Sequence, residues 1–345
     1  MTVINAIRFD HHSGAMSCDE QTTVGEKRKV FGSDKIKSVI PPEFTKKTGI
    51  VAAYGGTGTS AVGEEIRFRI TNKLRDLAQD EELFQERWPE TPHPTLWDIA
   101  ALTFEEAIDM KRTRIDEFLT GKYGFTTNDY IQGFFMDRNK RVDIKQEEVL
   151  RRTFDYISFK NTPAAVESIY RNKGIISGWD QHLGFQIYVI SLSENSLEPI
   201  SALYHSVGSG SDTASIFLAS FSRQKTIRER RSRINPVEGM AHLIAATNAA
   251  SLYNMGVGGY FNIVLFDGNQ KDPAKRLIEI SDHRSKLASE IVSASSAGLI
   301  SDEMTMSFID RLIFQGEPFN DINEELWQVC SDTTKLDHLL RGYKI

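Results

Sequence analysis

The sequence predicts a layered α+β fold. Three observations carry that expectation: β-rich segments fill residues 3–57, two consecutive helical patterns follow over about 61–121, and strand patterns return from Gly174 before a helical end. Two helices between sheet blocks fit stacked layers better than alternating βαβ units. VINAIRF (3–9) and AMSCDEQTT (15–23) form a hairpin around the DHHSG turn, Asp10 to Gly14. Short strands near 27–31 and 36–40 end at Pro41 and Pro42, and GIVAAY (49–54) is apolar enough for a strand buried on both faces. Ile66, Phe68, Ile70, Leu74 and Leu77 give a helical stripe from about Ala61 to Asp80. Pro89, Pro92 and Pro94 mark 81–96 as a connection, and a second helix over roughly 97–121 carries Ile99, Leu102, Ala107 and Ile115. Residues 122–170 read as an insertion with one helical stretch, IKQEEVLRRTFDYI. After Gly174 come GIISGWD, FQIYVISL and ISALYHSVGSG, a helix capped by Ser211 or Asp212, a basic stretch at 222–233, a long helix opened by Pro236 and the strand YFNIVLFDG. Residues 272–345 read as helices only. The chain thus divides into 1–271, with an insertion at about 81–173, and a helical extension.

Composition narrows the function classes. The 345 residues carry 41 Lys+Arg against 47 Asp+Glu, a net charge of −6, which argues against a dedicated nucleic-acid binder. No run approaches the ~18 apolar residues that span a bilayer. The first residues lack a basic segment followed by an apolar core, so a cytoplasmic protein without membrane contact is expected. Cys18 and Cys330 are too few for a disulfide framework or a metal site, and His11 and His12 lack a third ligand in sequence. No metal or organic cofactor is expected.

Gly56-Thr57-Gly58-Thr59-Ser60-Ala61 fits a G-x-G-x-x-A loop between strand and helix. A dinucleotide fold also needs a second parallel strand ending near an acidic residue about 20 residues on. That distance falls inside the next helix, so the loop reads as a glycine turn that lets helix and strand approach.

The chemistry is expected at the chain start. Thr2 follows Met1, and a small second residue normally permits Met removal. An N-terminal threonine holds nucleophile and base together: Oγ attacks, and the α-amine, with an ordinary pKa of about 7.7–8.0, takes the proton. A neighbouring ammonium favours both deprotonated forms, a carboxylate fixes that ammonium, and a backbone N–H at a glycine turn stabilises the oxyanion. Asp19 on the second hairpin strand, Lys35 sixteen residues on, and Gly55 supply these parts.

Their order resembles the proteasome β-subunit and HslV-like peptidase family of N-terminal nucleophile hydrolases. Five segments carry the likeness: Thr2 with Asp19 and Lys35; VAAYGGTG with Gly55 at the oxyanion position; SGWDQHLGFQIYVIS; SVGSGS with Ser209 at the active-site serine; and GVGGYFNIVLF. It covers about 1–80 and 174–270, roughly half the chain, and makes this a divergent member with a long insertion and a C-terminal extension. The resemblance implies a four-layer αββα sandwich of two antiparallel sheets, a threonine peptidase acting on peptides or unfolded proteins, a homo-oligomeric ring, and an ATP-dependent unfoldase partner. Thr22, Ser33, Ala53 and Thr57 would line the pocket before the scissile bond, with a preference for small or medium uncharged residues, and Thr23 would pair with substrate backbone.

Two departures stand out. The family's D-x-x-S-G-G reads Asn254-Met255-Gly256-Val257-Gly258-Gly259, so a carboxylate becomes an amide and a serine a valine. The 81–173 and 272–345 segments exceed the minimal family subunit. The first departure motivates two alternatives: a non-catalytic scaffold subunit, or a transpeptidase passing the acyl group to an amine.

Overall fold

The computed structural model describes residues 2–24, 28–30, 34–89, 94–158, 167, 170–254, 257–258, 261–280 and 283–341. β1 (Ile4–Arg8) and β2 (Ser13–Asp19) form the expected hairpin, with Ile4 opposite Cys18 and Arg8 opposite Gly14. Asp10 shapes the turn: its Oδ1 accepts from the His12 and Ser13 N–H groups at 2.7 and 2.8 Å. β3 (Thr22–Val24) and β4 (Arg28–Val30) make a small ribbon. β5 (Ile36–Ser38), α1 (Pro42–Thr48) and the almost wholly buried β6 (Val51–Thr57) follow.

α2 (Ser60–Gln79) starts close against β6, and a Cβ on Gly56 would stand 3.3 Å from the Gly63 Cα. β6 is antiparallel to both neighbours, so the glycine turn opens no parallel βαβ unit. The stretch expected as a connection contains a helix, α3 (Glu81–Arg87). Asp80 nucleates it by accepting from the Glu82 and Leu83 N–H groups. α4 (Leu96–Tyr123) begins with a Thr95–Asp98 capping box and ends at Gly124 in the left-handed region. The segment expected as an insertion holds α5 (Thr127–Gln132), a hairpin of β7 (Phe134–Asp137) and β8 (Lys140–Asp143), and α6 (Glu147–Ile157).

β9 (Lys173–Asp180), β10 (Gly184–Ser191), β11 (Ser196–Pro199) and β12 (Tyr204–Val207) lead to α7 (Ser211–Gln224). The cap position of α7 is Gly210, not Ser211 or Asp212. Space explains this: a Cβ there would meet Val3, Ala250 and Val257, each at 3.1 Å. α8 (Ile227–Arg231), α9 (Pro236–Tyr253, capped by Asn235) and β13 (Phe261–Asp267) come next. The expectation of helices alone beyond 272 is corrected by β14 (Leu277–Ile280), which pairs with β13 from Phe266↔Leu277 to Ile263↔Ile280. LIEI is too short for its alternation to outweigh the helical spacing that follows. α10 (His283–Ser296), α11 (Asp302–Ile309), α12 (Phe319–Val329) and α13 (Thr333–Arg341) complete the described elements.

The strands form two five-stranded antiparallel sheets, in the orders β12-β1-β2-β13-β14 and β11-β10-β9-β6-β5. Period-2 alternation sorts their residues into layers. Ile4, Met16, Ile36, Val51, Ile175, Phe185 and Val264 fill the space between the sheets. Ile7, Ile263, Leu218 and Ile244 pack one outer face, together with Leu287, Phe308 and Leu326 from the last helices. Tyr54, Ile176, Ile66, Leu74 and Ile99 pack the other. The result is the four-layer αββα sandwich that the resemblance implies. Among the described residues no helix is long and apolar enough to cross a membrane.

One buried cation tests the packing of α4. Lys111 Nζ donates to the Leu192 carbonyl at 2.8 Å and to Asn195 Oδ1 at 2.6 Å, and lies 4.4 Å from the Tyr170 ring centre. Burial pushes its ammonium down to about 8. Between that value and the ordinary lysine value of about 10.4 the unfolded chain binds more protons than the folded one, so stability gains as pH rises through this window. Lys111→Met removes the titration. The melting temperature of the natural protein, relative to that of the variant, is expected to climb between pH 8 and 10; a flat difference would refute this.

Candidate active site

Thr2 lies two residues before β1, and β1 runs between β2 and β12, so the threonine is delivered to the end of an inner strand. The loop after β12 wraps it. The Thr2 nitrogen donates to Ser209 Oγ at 3.1 Å, and the Thr2 carbonyl accepts from the Gly210 N–H at 3.3 Å. Gly208 makes that wrap possible. Its φ is +100°, and a Cβ there would overlap the Thr2 carbonyl oxygen and stand 2.9 Å from its carbon and 3.1 Å from the Thr57 methyl. Thr2 is 8% exposed and Ser209 is open to solvent.

Asp19 ends β2 and is fully buried. Its Oδ1 accepts from the Val3 N–H at 2.9 Å and from Lys35 Nζ at 2.9 Å, and its Oδ2 accepts from the Gly258 N–H at 3.2 Å. The Val3 nitrogen and the Lys35 ammonium share one oxygen, so they are no farther apart than twice that distance. Lys35 also donates to the Gln21 carbonyl at 2.6 Å. Burial pushes the Asp19 carboxyl above the ordinary carboxylate value, against the pull of the Lys35 charge and of the hydrogen bonds from Lys35, Val3 and Gly258. Cys18, next in the strand, is buried to the point that its thiol is pushed up to about 12. It is a core residue and no nucleophile.

Residues beyond the expected site set hold Lys35 in place. Arg67 of α2 donates to the Asp34 carbonyl at 2.8 Å, and Asn262 of β13 donates to Asp34 Oδ1 at 2.9 Å. Asp34 thereby ties the start of β5 to both sheets. Neither Arg67 nor Asn262 carries a spacing signal in the sequence. Gly208, Gly258 and Asn262 do lie inside the quoted motifs, and their roles appear only in three dimensions.

Gly55 sits on β6 opposite Ile36, the residue after Lys35, and a Cβ there would meet Ile36 and Ile4 at 3.0 Å. Thr2, Asp19, Lys35, Gly55 and Ser209 are thus gathered at one end of the space between the sheets. The residues expected to bind substrate are less uniform. Thr57 is 6% exposed beside Gly208, and its Oγ1 donates to the Lys173 carbonyl at 2.8 Å. Thr22 and Thr23 lie on β3, opposite Val30 and Lys29. Ala53 is fully buried in the apolar layer between the sheets and lines no open wall, because its position on β6 alternates inward with Val51. Ser33 lies outside the described residues.

The departures also have a structure. Asn254 Nδ2 turns back to Thr213 Oγ1 at 3.3 Å and to the Ala250 carbonyl at 3.2 Å. Val257 is buried against Gly210 in the outer core. The polar pair of the motif is here replaced by a helix-end contact and an apolar one. Among the described residues no three His, Cys, Asp or Glu side chains are grouped to hold a metal ion.

No family model matches the chain, and no curated protein matches it. Solved structures do. A mutant of Anbu from Hyphomicrobium sp. strain MC1 is 12% identical with a TM-score of 0.52, over 86% of this chain and 97% of that one. What is shared is the fold. Anbu from Yersinia bercovieri, described as an ancestral beta-subunit, is also 12% identical, with a TM-score of 0.49 over 86% of this chain and 94% of that one.

The Hyphomicrobium match corrects the family expectation. The motifs pointed to the proteasome β-subunit and HslV-like peptidase family, with likeness over about half the chain. The overlap with the Hyphomicrobium protein spans 86% of this chain at 12% identity. At that identity the match shows the sandwich architecture alone, and the family assignment is not retained.

Proposed function

We propose that this protein is a threonine-type peptidase of the cytoplasm, with Thr2 as nucleophile once Met1 has been removed. The observation that supports this best is the shared oxygen of Asp19, which binds the Val3 N–H and the Lys35 ammonium at 2.9 Å each. It sets a positive charge beside Thr2. That charge lowers the cost of an alkoxide at Thr2 Oγ and of a neutral α-amine.

In this mechanism the Thr2 hydroxyl proton passes to its own amine, which the Ser209 hydroxyl contacts. The Oγ–carbon bond forms, and the oxyanion is held by the Gly55 N–H. The amide C–N bond breaks as the proton moves to the leaving amine. Water then attacks the acyl ester, and its proton returns to Thr2 Oγ. Exposed Ile216 and Phe217 on α7, and Leu252 and Tyr253 at the end of α9, support association with further copies of the chain.

A second reading is favoured by one observation. Asn254 bonds away from Thr2, and Val257 is apolar; a scaffold subunit without turnover would tolerate both. Intact-mass analysis separates the readings. Protein lacking Met1, treated with a threonine-directed epoxyketone or β-lactone, is expected to gain one adduct, and Thr2→Ala to gain none. Correctly processed protein that stays unlabelled would sink the peptidase.

A further inference from the structure

The cleft beside Thr2 has a polar wall that the mechanism does not use. Lys173 opens β9 in register with Thr57. Residues two apart on a strand share a face, and Ile175, two residues on, lies in the layer between the sheets. Lys173 therefore projects from the inner face, at the open end of that layer. His205 does the same from the opposite sheet, two residues before the inward-facing Val207. Burial first, and then the Lys173 charge, push its imidazole below the ordinary value, with Glu198 opposing. The two side chains thus face the layer between the sheets from opposite sides.

Thr57 links this wall to the nucleophile. Its methyl stands 3.1 Å from where a Gly208 Cβ would be, next to the Thr2 carbonyl. Lys173 lies one strand spacing beyond Thr57, about 4.8 Å. A lysine stem bridges that span to a peptide lying along the cleft. The ammonium pairs with Glu194 at 3.8 Å, with side chains 40% and 58% exposed. Exposed pairs of this kind contribute little and exchange readily. A better-placed anion inside the cleft can therefore replace Glu194.

We propose that Lys173, with His205 facing the same layer from the opposite sheet, is a specificity-determining cation that takes a carboxylate of the peptide bound along the Thr2 cleft. This rests on the peptidase reading for the location of the peptide. The carboxylate comes from an acidic side chain or from the chain terminus, and the test separates the two. Thr2→Ala protein, which cannot form an acyl ester, is titrated calorimetrically with four peptides on an N-acetyl-Ala-Ala-Ala frame. They end in Asp amide, Asn amide, Ala acid and Ala amide.

Asp amide binding at least tenfold tighter than Asn amide assigns a side-chain carboxylate. Ala acid binding tenfold tighter than Ala amide assigns the terminus. Lys173→Met in the same background is expected to erase the preference, and Lys173→Arg to keep it. Equal binding of acid and amide, no measurable binding of any peptide, or a preference that survives Lys173→Met overturns the proposal. The titration needs no turnover. Missing adduct formation at Thr2 would thus defeat the peptidase alone, and missing carboxylate preference would defeat this inference alone.

Discussion

Lys35→Met is expected to lose Thr2 labelling by at least a hundredfold and to destabilise the fold by about 3–5 kcal/mol, the usual cost of stranding one member of a buried ion pair. The side chains of Lys35 and Asp19 are only 9% and 0% exposed. Without the ammonium, Asp19 keeps the Val3 and Gly258 N–H groups but has no counter-charge. Its carboxyl, already pushed up by burial, rises further. A carboxyl raised in the folded state gives stability that is present below its unfolded value and lost as pH climbs through the folded one. The penalty of Lys35→Met should therefore be small near pH 4 and full at pH 7. Chemical denaturation at both pH values measures it, and a penalty independent of pH would show that Lys35 does not act through Asp19. Asp19→Asn/Lys35→Met, which removes both charges, should recover part of the stability and none of the labelling.

Gly208→Ala is the second large effect. At φ +100° an alanine is strained by about 1–2 kcal/mol, and its Cβ has no room beside the Thr2 carbonyl. Either the loop after β12 shifts or Thr2 does, and a displacement of about 1 Å at a reacting group can cost a hundredfold in rate. The expected result is a folded protein with a melting temperature lowered by several degrees and Thr2 labelling slowed by two orders of magnitude. Gly210→Ala is the control: its Cβ would meet only side-chain carbons, each at 3.1 Å, so it should cost stability with a smaller effect on labelling. Equal labelling rates in both variants would show that the Gly208 contact does not position Thr2.

Much of the architecture could be read from periodicity. The β1–β2 hairpin, the buried β6 and the long α2 and α4 helices have readable patterns, because each packs one face or both against a neighbour, and α9, apolar all round, is marked by Pro236 at its start. β14 and α3 escaped, being short and decided by partners: β14 by an open edge of β13, α3 by the Asp80 cap. The gathering of Thr2, Asp19, Lys35 and Ser209 followed from ordered motifs. Asn262 and Arg67 did not, since a lone amide or guanidinium shows no purpose until it meets Asp34. Ala53 was misplaced for a similar reason: the inward turn of one residue depends on the register of β6 against β5 and β9.

The Asp19 carboxylate gathers Val3, Lys35 and Gly258, and Ser209 closes over Thr2 from a loop far along the chain. During synthesis the first threonine leaves the ribosome long before its last partner exists. On the peptidase proposal, a half-made chain carries a hydroxyl without its activating partners, and reactivity waits for the finished globule. Copies ending before Gly258 lack one of the three donors to Asp19, so chain connectivity sets the order in which the cluster is completed.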